Sequence, residues 1–97
     1  GKLVVDAGAA DALLKRGKSL LPTGIVGVEG TFTAGNVVSI VDTTAQEIAR
    51  GISNYNAQAL RMIRGYNSCQ IKEILGYHDY DEVVHRDNLT IILNNNT

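Results

Sequence analysis

Several short strings in this chain carry residue types that do chemistry elsewhere, and Gly17-Lys18-Ser19 is the most suggestive. A phosphate-cradling loop ends in Gly-Lys-Ser, but it also needs a glycine five places earlier, and Ala12 stands there inside a run with helical spacing. The triplet reads instead as a helix stop followed by a solvated lysine. His85-Arg86-Asp87 imitates the catalytic loop of protein kinases. In that loop Leu follows the Asp and a metal-binding Asn stands seven places after the His, whereas Asn88 and Ile92 occupy those positions here. Gly24, Gly27 and Gly30 recur every third residue, not at the first, third and sixth places of a dinucleotide loop, so they are expected to mark bulges or close backbone approach. Cys69, His78 and His85 lack the paired spacing of a zinc site. Asp79, Asp81 and Glu82 lack the glycine and terminal glutamate of a calcium loop. No catalytic, cofactor-binding or metal-binding residue is therefore expected within the chain.

One cluster survives: Lys15, Arg16 and Lys18, three of nine basic residues within four positions. Its plain reading is a helix end whose cations complement the backbone dipole. Its functional reading is a phosphate-contacting patch. Stacking partners for unpaired bases are scarce, with aromatics at 5% and no Trp.

The elements that position these residues follow from hydrophobic spacing. Lys2 to Val5 reads as a strand, with Asp6 able to cap a helix beginning just after it. Ala9 to Arg16 is predicted as a helix, because Ala10, Leu13 and Leu14 form one stripe and Gly17 suits a left-handed cap. Ile25 to Val28, Val37 to Val41 and Glu47 to Ser53 read as a β-meander, with Ile48 and Ile52 in period-2 alternation. Asn56 and Asn67 or Ser68 are candidate caps for two short helices that stop at Gly65 and Gly76. Val83 to His85 and Leu89 to Leu93 complete the set as a strand or bent pair. The candidate core is Leu13, Leu14, Ile25, Val28, Val38, Ile40, Ile48, Ile52, Leu60, Ile71, Leu75, Val84, Leu89 and Ile91.

Ninety-seven residues with 44% hydrophobic content are enough for one core and hardly two. A single domain over 1–93 is expected, with 94–97 as a frayed tail. The net charge of −1 removes the bulk attraction that nucleic-acid or anionic-membrane binding relies on. No apolar run approaches the length of a membrane span, no signal core follows Gly1, and a lone Cys69 fits a reducing cytosol. A cytoplasmic protein is expected, and the sequons at Asn88 and Asn95 are set aside as chance matches.

Asp6-Ala7-Gly8-Ala9, the stretch Gly17 to Ile25, Val28-Glu29-Gly30, Glu47 to Gly51 with Asn54-Tyr55, Glu73 to Tyr77, and Tyr80 to Leu89 together resemble the C-terminal PUA domain of bacterial glutamate 5-kinases. The resemblance runs nearly end to end, and its last stretch is specific to that kinase family. It implies an α+β fold, a PUA-like mixed β pseudo-barrel with short flanking helices. It also implies an ATP- and Mg²⁺-dependent amino-acid-kinase domain in the same polypeptide, which makes γ-glutamyl phosphate for proline biosynthesis under proline feedback. No catalytic residue carries over. The implied role is noncatalytic, in regulation or assembly, with the kinase domain and further copies of the protein as partners. In RNA-modifying relatives the first helix and following loop grip RNA, which here would be Ala9 to Gly24 with Lys15, Arg16 and Lys18.

Overall fold

The computed structural model describes residues 1–92. The expected domain end at 93 and the tail at 94–97 lie outside the described residues. In chain order the elements are β1 (Lys2–Val5), α1 (Ala7–Arg16), β2 (Ile25–Glu29), β3 (Val37–Val41), β4 (Glu47–Ile52), α2 (Ala57–Ile63), α3 (Ile71–Leu75) and β5 (Leu89–Ile91). Single turns of 3₁₀ helix at Pro22–Gly24, Ser68–Gln70 and Arg86–Asn88 join them.

Helix ends follow local chemistry. The Asp6 carboxylate accepts from the Ala9 N–H at 2.7 Å, so α1 starts at Ala7, two residues before the spacing suggested. Gly17 ends it in the left-handed conformation. Asn56 caps α2 through the Ala59 N–H at 2.7 Å. Asn67 and Gln70 form a reciprocal capping box ahead of α3, and Gly76 terminates that helix.

The five strands form one mixed sheet in the order β2-β1-β3-β4-β5. Here the expected meander fails. β1 inserts between β2 and β3, antiparallel to the first and parallel to the second, with Leu3 opposite both Val28 and Ile40. Only β3 and β4 form the expected hairpin. The sheet is open, since β2 and β5 do not pair with each other. The segments leading into those two edges are nonetheless joined by an antiparallel bridge between Leu20 and Val84. The predicted final strand pair reduces to that bridge and to β5.

Leu3, Val5, Leu20, Ile25, Val38, Ile40, Ile48, Leu60, Ile63, Ile71, Val83 and Val84 are fully buried and form the centre of the core. Removing each from water is worth about 1.5–3 kcal/mol. Two candidate core residues lie elsewhere, because Ile52 is 38% exposed and Ile91 is 44% exposed. The register explains Ile52: Ile40 faces Ala49 but Val41 faces Glu47, which leaves Ile48 as an extra residue in a bulge. The bulge turns Ile48 and Ala49 both inward and resets the alternation, so Ile52 falls on the outer face. Ile91 faces the core side but sits on an edge strand of only three residues.

The β2 edge is capped by side chains. Arg61 donates to the Gly30 carbonyl at 2.6 Å and Arg64 to the Val26 carbonyl at 3.1 Å, so those acceptors are not offered to another strand. Tyr55, buried beneath the segment after α3, accepts from the Tyr80 N–H at 3.1 Å and donates to the Tyr80 carbonyl.

Candidate functional site

α1 carries the basic cluster at its C-terminal end, and the structure divides it. Lys15 Nζ lies 3.2 Å from Asp11 Oδ1, one turn back on the same face, and Arg16 Nε lies 3.9 Å from Asp11 Oδ2. These are exposed pairs of small energetic weight, yet they commit both cations to one carboxylate. Lys18 lies beyond the Gly17 cap, its N–H donating to the Ala12 carbonyl at 3.2 Å. Among the described residues it has no carboxylate within 4.0 Å.

Lys18 opens onto a cleft of about 720 Å³. One wall is the first turns of α1 with Gly8, Ala9 and Ala12, a second is the loop from Ser19 to Gly24, and a third is Glu82, His85 and Arg86. That volume lies in the range of sites for small ligands. The α1 wall can approach the loop because Gly24 has no side chain: a Cβ there would lie 2.5 Å from the Cβ of Ala9. Of the three spaced glycines, Gly24 thus marks the expected close approach, and Gly27 lies beside the β1–β2 register shift at Val4/Val5.

The third wall is held by backbone pairing across the seam of the sheet. Leu20 N–H donates to the Val84 carbonyl at 2.9 Å, Val83 N–H to the Leu20 carbonyl at 2.8 Å, and Arg86 N–H to Ser19 Oγ at 2.9 Å. Sequence reading missed Arg86 and His85 as neighbours of Lys18. Arg86 stands 67 residues from Ser19 along the chain, and neither the imperfect kinase-loop match nor the resemblance over Tyr80 to Leu89 linked it to Lys18. Lys18 and Arg86 also flank a smaller cavity of about 100 Å³, floored by Leu13, Leu89 and Ile91. His85 Nδ1 accepts from the Asp87 N–H at 3.1 Å and lies 3.6 Å from Asp87 Oδ2.

Other polar groups are accounted for locally. His78 Nε2 lies 2.6 Å from Asp81 Oδ1, and Cys69 is exposed at the start of the segment before α3. Among the described residues no three His, Cys, Asp or Glu side chains converge as they would on a metal ion. No helix among them is long and apolar enough to cross a membrane. On the outer sheet face Glu47 takes Arg50 through both carboxylate oxygens, at 2.9 and 3.1 Å, and the Ser39 hydroxyl at 2.6 Å. The hydrogen bonds from Arg50, and then from Ser39, hold the Glu47 carboxyl below the ordinary glutamate value.

An open, mixed five-stranded sheet, with one bridge joining the segments that lead into its edges and a cleft beside that bridge, defines a small α+β module. The profile of the PUA domain family matches residues 1–75, and the chain belongs to that family. It is 56% identical over 92 residues to the glutamate 5-kinase of Moorella thermoacetica, covering 95% of this chain and 24% of that protein. The chain spans about a quarter of the length of the curated relatives it matches. Among solved structures, a PUA domain from Aeropyrum pernix K1, determined as a tartrate complex, is 31% identical with a TM-score of 0.64, over 88% of this chain and 41% of that one. The archaeal box H/ACA sRNP Nop10–Cbf5 complex shares the fold at 16% identity and a TM-score of 0.64, over 98% of this chain and 25% of that one.

Proposed function

We propose that this chain is the noncatalytic accessory PUA domain of a cytoplasmic, homo-oligomeric glutamate 5-kinase, acting on the assembly or regulation of that enzyme. The supporting observation is one of proportion: identity above half extends over 95% of this chain yet reaches only 24% of the relative. ATP, Mg²⁺ and glutamate then belong to residues outside this chain, in the kinase domain that is its first partner. Two measurements test the reading. The isolated domain, given ATP, Mg²⁺ and glutamate, forms no acyl phosphate trappable as hydroxamate, and turnover would overturn the noncatalytic assignment. Removing the domain from the full enzyme changes its subunit number, activity or proline inhibition, and a truncated enzyme identical in all three would overturn the accessory role.

A second reading is RNA contact through Lys15, Arg16 and Lys18. What favours it is the opening of Lys18 onto a cleft beside Arg86. Against it stand Asp11, which engages the other two cations, and the net charge of −1.

A further inference from the structure

Lys18 and Arg86 lie on the two segments that the Leu20–Val84 bridge joins, and both line the same cleft and the smaller cavity beside it. The hydrogen bond from Arg86 N–H to Ser19 Oγ keeps the two segments together at that point. Neither cation is ion-paired: among the described residues neither has a carboxylate oxygen within 4.0 Å, although Asp6 and Glu82 line the same cleft. The Asp6 carboxylate is engaged in capping α1. Ser19 Oγ accepts from Arg86, and its own proton has no acceptor among the described residues. Two unopposed cations and a free hydroxyl donor therefore border one concave space of about 720 Å³.

We propose that this cleft binds a compact dianion, a phosphate monoester or a short dicarboxylate. Arg86 supplies a planar fork of donors, Lys18 a movable point charge and Ser19 a hydroxyl proton. The two positive charges of Lys18 and Arg86 match the charge of a dianion. An extended polyanion is served less well. Its further phosphates would meet Glu82 and Asp6 on the walls, and Lys15 and Arg16 are drawn toward Asp11.

Calorimetric titration of the 97-residue chain with inorganic phosphate, malate and acetate, at constant ionic strength, tests this. Phosphate or malate is expected to bind saturably at one site. Lys18→Gln and Arg86→Gln should each weaken it about tenfold or more, with Lys15→Gln leaving it unchanged. A melting series guards against variants that merely misfold. Without anion, Lys18→Gln should melt close to the wild-type midpoint, because Lys18 has no ion pair to lose, and phosphate should raise the wild-type midpoint more than the variant's. The proposal fails if neither dianion binds below about 10 mM. It fails if acetate binds as well as phosphate, or if Lys15→Gln weakens binding as much as Lys18→Gln. A structured RNA that binds through Lys18 and Arg86 while free phosphate and malate stay silent would also overturn it, in favour of a nucleic acid.

Discussion

Gly51 lies directly under Val84: a Cβ added to Gly51 would come within 2.4 Å of Val84 Cγ1 and 2.9 Å of the Asn88 carbonyl oxygen. Neither neighbour yields easily, since Val84 is fully buried and the oxygen belongs to the backbone of a 3₁₀ turn. This close approach lets β5 pair with β4 and holds the segment that carries Arg86 against the sheet.

Gly51→Ala is therefore expected to destabilise the domain by about 1–3 kcal/mol through overpacking. Chemical denaturation reads the effect as a lower midpoint at unchanged slope. A midpoint equal to wild type would mean that the 84–88 segment does not rest on β4.

What could be read from sequence was what local backbone chemistry decides. The caps at Asp6 and Asn56 and the left-handed stops at Gly17 and Gly76 depend on a few neighbouring residues, and each stands where spacing placed it, whereas α2 is capped by Arg64, one residue before the expected stop at Gly65. The place of β1 between β2 and β3 depends on pairing across a long separation. A parallel neighbour leaves no turn signal between the strands it joins. The site divides in the same way. Lys18 was legible from its position after a helix stop, whereas Arg86 reaches it only through the Leu20–Val84 bridge, which no period in the sequence announces.

The bulge at Ile48 makes a contrast between two isoleucines four residues apart. Ile48→Ala should cost about 2–5 kcal/mol, as expected for a large side chain removed from a packed interior. Ile52→Thr, on the outer face opposite Val37, should change stability by less than about 1 kcal/mol. Similar losses at both positions would restore strict alternation along β4 and remove the bulge.

Glu47 provides a dependence on pH. Arg50 and then Ser39 lower its folded-state value below the ordinary 4.5, and the unfolded chain has neither partner in place. The unfolded state thus takes up the proton first as the medium is acidified. Stability from this network is present above about pH 5 and is lost as pH falls through the folded-state value. Wild type should lose midpoint more steeply than Glu47→Gln between about pH 5 and pH 3. Parallel curves for the two proteins would show that the network contributes nothing to acid stability.

The basic cluster can be divided by experiment as the structure divides it. If RNA binds at all, reversal of Lys18 should weaken it more than reversal of Lys15 or Arg16, because those two already face Asp11 while Lys18 stands open at the cleft. With so few free cations, binding should engage about two phosphates and decline only shallowly as salt rises. A titration of one structured RNA at two salt concentrations, against Lys18→Glu and against the double variant Lys15→Glu with Arg16→Glu, separates the contributions. A larger loss in the double variant would move the contact out of the cleft and onto the exposed end of α1. Binding that ignores both variants, or that is absent even at low salt, would leave the cluster as a solvated helix end and withdraw RNA as a ligand of this chain.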